Sequence, residues 1–411
     1  MKVLGDIAKV IDCEHRTAPK TEEVPYGFSV GTSAVRHGRI DLARAKPISK
    51  ETYVSWTRRA TPGVGDLIFS REAPMGEVGM VPGDVRVCLG QRTVLMRLDH
   101  QKVDHRFLLY ALMSPHSQTW IKENSAGSTV LHLNVADVRR IPIHYLPSLD
   151  DQRRIVEILE DHLSRLDAAA RGLRVGLRRC ESLLTSGLWQ STHGLAGAAR
   201  VELQSIAEVR LGRQRSPKNH SGNRMRPYLR AANVDWGRLR LDDIKEMQFT
   251  EAEEETYRLR NGDILLTEAS GSPAEVGKSV TYRGIPADVC FQNTLLRVRC
   301  HSANPDFVQA YLLAEARAGR FMPASRGVGI NHLGRARLAT LPLELPPADV
   351  QQAAVARCRE LNEEVSRLKV TLENQADRTS TLRRSLLATA FSGRLNGAES
   401  DLSAAEDMIG A

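Results

Sequence analysis

The sequence predicts an α+β fold: two similar mixed α/β heads separated by two long helices that form an antiparallel coiled coil. The first observation behind this is an internal repeat. Ile7-Ala8 recurs as Ile206-Ala207, and Gly65-Asp66-Leu67-Ile68-Phe69-Ser70 as Gly262-Asp263-Ile264-Leu265-Leu266-Thr267. Glu77-Val78-Gly79 pairs with Glu275-Val276-Gly277, Gln91-x-Thr93 with Gln292-x-Thr294, and Ser125-x-Gly127 with Ser325-x-Gly327. His132-Leu133 then pairs with His332-Leu333, and Asp150-x-Gln152 with Asp349-x-Gln351. An offset of about 200 residues far exceeds solenoid and propeller periods, so each copy is domain-sized. The second observation is a sustained heptad pattern closing each copy. The third is that, within each copy, short β-branched and apolar runs alternate with Gly, Pro, Asn and Asp clusters, as strands alternate with turns.

The elements follow in order. The first head covers 1–146, with its clearest strands at 66–70 and 92–97 and a helix at 104–112 carrying aromatic and leucine residues at helical spacing. The first long helix covers 147–193, opening on Pro147 and Asp150-Asp151-Gln152 and running on without another proline. Its apolar positions Leu159, Leu163, Leu166, Ala170, Leu173, Leu177, Cys180 and Leu184 step alternately by four and three, a heptad seam. Forty helical residues span ~60 Å. A linker at 194–200 leads to the second head, 201–345, with a strand at 263–267 and a helix at 305–313. The second long helix covers 346–392, and its seam reads Val365, Leu368, Leu372, Gln375, Thr379, Leu382 and Leu386. Residues 393–411 form an acidic tail, with four carboxylates and no cation in 399–411, and disorder is expected there. Equal helices following similar heads, paired antiparallel, would place the heads at opposite ends and act as a ruler.

Composition is that of an ordinary globular protein, and 411 residues suffice for two or three cores. The net charge of +8 favours an anionic partner without naming one. Cysteines at 13, 88, 180, 290, 300 and 358 make no CxxC pair and no zinc spacing, so they read as small buried hydrophobes in a reducing cytoplasm. Residues 1–7 lack a sustained apolar run and nothing approaches a membrane span, so neither secretion nor membrane insertion is expected.

Charge collects in loops. Arg213, Arg215, Lys218, Arg224, Arg226 and Arg230 fall within eighteen residues that hold no acid, interleaved with Asn219, His220, Asn223 and Tyr228. Such a loop offers phosphate-neutralising cations beside Arg and Asn forks able to read base edges; alone it equally fits a solvated basic loop. In the first head the cations gather at Arg36, Arg39, Lys46, Arg58 and Arg59, near His37 and Trp56. His132 and His332, at equivalent positions, read first as fold-maintaining residues, and the Ser-x-Gly loops before them as phosphate-facing loops or tight turns.

Catalytic signatures are missing. Ser272-Pro273-Ala274-Glu275-Val276-Gly277-Lys278-Ser279 ends like a P-loop but has Ser272 where its first glycine belongs, and the first copy lacks the Lys-Ser. No GxGxxG, HExxH or GxSxG is present, nor the Asn/Asp-Pro-Pro-Tyr/Phe run with which amino-methyltransferases hold an extruded base. The residues point to binding rather than catalysis. An enzyme with unrecognised residues would turn over alone with magnesium or ATP; a non-specific DNA- or protein-binding coiled-coil scaffold would be indifferent to DNA sequence.

The two-fold head-plus-helix plan resembles the specificity subunit of type I restriction-modification systems. The junctions carry the resemblance: Leu146-Pro147-Ser148-Leu149-Asp150-Asp151-Gln152 and Leu345-Pro346-Pro347-Ala348-Asp349-Val350-Gln351. Ser385-Leu386-Leu387-Ala388-Thr389-Ala390-Phe391-Ser392-Gly393-Arg394-Leu395 is similar to the family's closing motif, with a weaker partner at Ser182-Leu183-Leu184. The resemblance implies that each head is a target recognition domain reading one half of a split, asymmetric sequence in double-stranded DNA. It implies that the helices dock two modification (methyltransferase) subunits; the heptad positions Leu159, Leu163, Leu166, Leu173, Leu177, Leu184, Val365, Leu368, Leu372, Leu382 and Leu386 are the candidate subunit or coiled-coil interface. The resemblance further implies that restriction subunits complete the complex, that S-adenosylmethionine, ATP and magnesium belong to the partners, and that this chain binds no cofactor or metal. Segments 211–217 and 228–234 would lie close to DNA; together with the basic loop between them they make Arg213, Arg215, Lys218, Asn219, Arg224, Arg226, Tyr228, Arg230 and Asn233 the candidate contacts. Arg36, Arg39, Arg58 and Arg59 are the first head's candidates.

Overall fold

A computed structural model describes residues 1–127, 131–270, 275–321 and 331–392. The Ser325-x-Gly327 loop, the tail at 393–411 and part of the P-loop-like stretch lie outside the described residues. The chain divides into two compact units, 1–173 with 374–411, and 174–373. Each unit therefore combines a head with a segment of each long helix.

In the first unit the main strands are β1 (Ala8–Asp12), β2 (Gly27–Val30), β3 (Lys46–Ile48), β4 (Leu67–Ser70), β5 (Val78–Met80), β6 (Val87–Leu89) and β7 (Thr93–Leu98). They form an antiparallel sheet ordered β1-β7-β4-β5 and a smaller one ordered β3-β2-β6, in which β2 and β6 are parallel. Its main helices are α1 (Lys50–Trp56), α2 (His105–Met113) and α3 (Pro115–Glu123), and the long α4 (Leu149–Thr192) starts here and continues into the second unit. In the second unit, β8 (Ala207–Leu211), β9 (Met225–Leu229), β10 (Lys245–Gln248), β11 (Ile264–Thr267), β12 (Ser279–Thr281), β13 (Cys290–Phe291) and β14 (Leu295–Cys300) repeat the plan. Their sheets are ordered β8-β14-β11-β12 and β10-β9-β13, with β9 and β13 parallel. Here α5 (Glu251–Tyr257) answers α1 and α6 (Pro305–Arg317) answers α2; the long α7 (Ala348–Ala390), which answers α4, starts here and ends in the first unit. The duplication in sequence is thus a duplication of topology.

One buried position breaks the symmetry. Leu95, paired with Ile68, is fully buried under apolar neighbours, whereas its counterpart Arg297, paired with Leu265, is equally buried. Arg297 persists there because Glu208 lies 2.9 Å away, the Thr256 carbonyl accepts from it at 3.1 Å, and the Phe291 ring lies beneath it.

The repeated Asp-x-Gln junction has a structural cause. Gln152, with no exposed surface, accepts from the Asp104 backbone N–H at 2.8 Å and donates to the Lys102 and Leu146 carbonyls. Gln351 accepts from the Asn304 N–H at 2.9 Å and donates to the Pro346 carbonyl. Each glutamine thus fastens the start of a long helix to the cap of its head's helix, Asp104 for α2 and Asn304 for α6.

The long helices close the cores of their own units. In the first, Ile155, Val156, Leu159 and Leu163 cluster with Leu386, Leu387, Ala390 and Phe391 and with α2, where the Phe107 and Phe391 rings meet edge-on at 5.3 Å. In the second, Cys180, Leu184 and Leu188 cluster with Cys358, Val365 and the α6 residues Ala310 and Leu313. There Gly187 faces Leu361 and Gly176 faces Leu372, so the two segments run in opposite directions. Leu166, Leu173 and Leu177 are half-buried, as are Leu372 and Leu382, and Leu386 is buried. Leu368 departs from the expected seam, being 50% exposed. Its neighbour Lys369 turns toward α4 to pair with Glu181, and Ala376 is half-buried while Gln375 is exposed. Positions 369 and 376 thus take the places of 368 and 375 on this face, while Leu372, Thr379, Leu382 and Leu386 keep theirs.

Candidate nucleic-acid interface

The arm at 212–224 leaves β8 under tight constraint. A Cβ on Gly212 would lie 2.2 Å from the Gln292 carbonyl oxygen, so only glycine fits. Arg213 then donates its N–H to the Phe291 carbonyl and accepts from the Asn293 N–H, pinning the arm's root to the repeated Gln-x-Thr segment. The first head ties its shorter arm to the same place, Thr17 donating to the Gln91 side-chain oxygen at 2.8 Å.

The six cations of the second arm divide into two kinds. Arg213 is 12% exposed, 2.9 Å from Glu253 and stacked over Phe249, and the Asn219 amide oxygen, when turned toward it, accepts from both Nη atoms. Arg224 and Arg226 each lie 3.1 Å from Glu254, which Arg258 also holds, and Arg230 lies 2.5 Å from Asp243. Arg215 and Lys218, the latter on a turn at Pro217–Asn219, are exposed and make no ion pair among the described residues. The 213–230 run holds no acid, but the fold supplies acids from α5 and the 243 loop.

Thr250 caps α5, accepting from the Glu253 N–H while the Glu253 carboxylate accepts from the Thr250 N–H, which sets Glu253 and Glu254 on the first turn. Glu254 is 4% exposed. Arg226, against the opposing effect of burial, and then Arg224 and Arg258 hold its carboxyl down to about 2. Burial works against ionised Glu253, but Arg213 and the Thr250 N–H outweigh it and hold its carboxyl below the usual range.

Two candidates are corrected by burial. Tyr228 is 1% exposed and fills a cluster with Met247, Phe249 and Cys290, so its ring cannot stack on a base. Asn233, 2% exposed, spends its side chain on backbone: it accepts from the Arg230 N–H and donates to the Arg240 and Asp243 carbonyls. Both shape the strand end that carries Arg230.

In the first head, Arg36 is turned onto the Thr32 and Val35 carbonyls at 2.9 and 2.7 Å, while Arg39 is exposed with no ion pair among the described residues. Arg58 reaches Ser55 at 3.4 Å and Arg59 donates to the Cys13 carbonyl at 2.8 Å. These two share the neighbourhood of α1 with Arg16, whose guanidinium lies over Trp56 at 4.4 Å. Arg86 stacks over Tyr26, which meets Tyr53 edge-on. Arg16, Tyr26 and Arg86 escaped the sequence reading because their partners lie tens of residues away. This face is cationic and aromatic, the combination that grips backbone and bases.

The paired histidines do less than their leucine neighbours. Leu133 and Leu333 are buried, and their N–H groups donate to the Arg71 and Glu268 carbonyls. His332 itself is exposed and pairs with Glu268 at 2.9 Å. Ser125 donates to the Lys122 carbonyl, closing a tight turn. Asp12, Cys13 and His15 bring three metal-ligand types within 4.8 Å. Protein contacts engage them already: Arg71 and His15 flank Asp12, and Cys13 packs in the core beside Val30. All six cysteines are unpaired, and burial pushes the Cys88, Cys290 and Cys300 thiols up to about 12.

Two heads of one topology, each with an arm that leaves its first main strand, define a duplicated α+β protein. The chain belongs to the type I restriction modification DNA specificity domain family, whose sequence model matches residues 1–173 and 197–376. It is 24% identical over 310 residues to the Type I restriction enzyme StySPI specificity subunit of Salmonella potsdam, a match covering 71% of this chain and 66% of that protein. To the EcoKI specificity subunit of Escherichia coli K12 it is 25% identical over 307 residues, covering 70% and 65%. The chain thus matches just under two thirds of the length of these relatives. Its fold is similar to a chain from a structural study of complex assembly and conformational transition of the type I R-M system, with a TM-score of 0.74, 20% identity, and 96% and 97% of the two chains covered. The HsdS subunit from Thermoanaerobacter tengcongensis gives a TM-score of 0.51 at 21% identity, covering 95% and 96%.

Proposed function

We propose that this chain is the non-catalytic DNA sequence-recognition subunit of a type I restriction-modification complex. One observation carries the proposal: both copies fall within the specificity-domain family, on a shared topology but with different charged arms. Shared topology gives two equivalent readers; different arms let them read different half-sequences. The heads at 1–146 and 201–345 read the two halves of a split, asymmetric target. The helices at 147–193 and 346–392 pair as an antiparallel coiled coil, space the heads, and dock two modification subunits. The opposed directions of the segments around Gly187–Leu361 and Gly176–Leu372 support that pairing. S-adenosylmethionine, ATP and magnesium act on the modification and restriction subunits, in keeping with the missing nucleotide and base-extrusion motifs. We place the complex in the cytoplasm; among the described residues no helix is long and apolar enough to cross a membrane.

Exchanging residues 201–345 for the head of another family member tests this. The exchange alters one half of the recognised sequence and leaves the other half unchanged. A chimaera whose whole target changed would refute independent heads.

A further inference from the structure

The equivalent helices α1 and α5 differ in charge: α1 balances Lys50 against Glu51, whereas α5 carries Glu251, Glu253, Glu254 and Glu255 and no cation. Both have seven residues and both follow a hydroxyl cap, Ser49 and Thr250. Counting from the caps, Glu254 occupies the place of Tyr53. In the first head Tyr53 packs on Tyr26, and the cations around α1 stay at the surface. In the second, Glu254 is almost wholly buried beneath Arg224, Arg226 and Arg258. An arginine paired to a buried carboxylate can reach a phosphate only by abandoning that carboxylate, which would leave a buried charge without its partner.

We infer that Glu254 is a positioning residue that withholds Arg224 and Arg226 from the phosphate backbone and leaves Arg215 and Lys218 as the arm's phosphate contacts, so that the second head grips DNA weakly until sequence is matched. This rests on the recognition reading above. Sequence-blind affinity grows with every phosphate neutralised, and specificity is the margin over it. An internal carboxylate that occupies two or three arginines lowers the first.

The test is binding of the full chain to a random-sequence duplex as salt is varied, for the wild type, Glu254→Gln, and Glu254→Gln with Arg224→Gln and Arg226→Gln. Glu254→Gln tightens binding and steepens the slope of log K against log salt by about 1.8, or ~0.9 for each released arginine. The triple variant, which removes the two released cations together with the carboxylate, returns to the wild-type slope. A Glu254→Gln slope equal to or shallower than wild type overturns the inference. So does a triple-variant slope below wild type, since Arg224 and Arg226 would then contact DNA already; that arm decides the matter should the single variant not fold. A wild-type chain with no salt-dependent DNA binding would instead sink the recognition reading itself.

Discussion

Replacing Glu254 by glutamine also makes a prediction about stability, and its sign depends on pH. A carboxyl held at about 2 in place of the ordinary 4.5 corresponds to at most ~3 kcal/mol of stabilisation at neutral pH. The three arginines around it are between 36% and 46% exposed, so solvent screens the pairing and about 1–2 kcal/mol is the expected loss. Because the folded value lies below the unfolded one, the contribution is complete above about pH 4.5, fades as pH falls, and is gone below about 2. Denaturant unfolding of wild type and Glu254→Gln at pH 7, 5, 4 and 3.5 measures the difference directly. It should be constant from 7 to 5 and shrink below that. In a unit of this size the loss appears as a fall in Tm of about 2–8 °C at pH 7. A difference that is negligible at pH 7, or that does not narrow on acidification, would refute the claim that an ionised Glu254 holds the arm.

Three further outcomes follow from the packing and the proposed role. Gly212→Ala, forced against the Gln292 backbone, should destabilise by about 1–3 kcal/mol and weaken DNA binding, whereas Gly172→Ala, with open space around it, should stabilise its helix by up to ~1 kcal/mol; thermal melts separate the two. Leu163→Ala removes a side chain only 4% exposed and should cost about 2–5 kcal/mol, while Leu368→Ala should stay within about 0.5 kcal/mol, as denaturant midpoints will report. Calorimetric titration of the purified chain with S-adenosylmethionine should give no heat of binding, and saturable binding at one site would contradict assignment of the cofactor to a partner.

What could be read from the sequence is what depends on near neighbours. Leu159, Leu163 and Leu184 announce their helix because the period of an amphipathic helix is local, and β4 and β11 stand out because Asp66–Ser70 and its repeat alternate with glycine turns. Leu368 was misplaced by one position because the phase of a seam depends on what lies across it, here Lys369 with Glu181. The arm was harder. Arg213, Arg224 and Arg226 look free in a run without acids, yet Glu253 and Glu254 reach them from about thirty to forty residues downstream. Tyr228 and Asn233 resemble contact residues by type, and only tertiary packing reveals that one fills a core and the other satisfies backbone groups. Arg297 shows the same limit from the other side: a charge in a strand reads as surface until its partners are known.

The central claim is that this chain chooses the DNA sequence at which its complex acts. The most direct measurement is genome-wide detection of methylated bases in the host with and without the chain. Loss of methylation at one split, asymmetric motif, restored by returning the chain, is the predicted result. Methylation unchanged at every motif, while the modification subunits are present and active, would contradict the account.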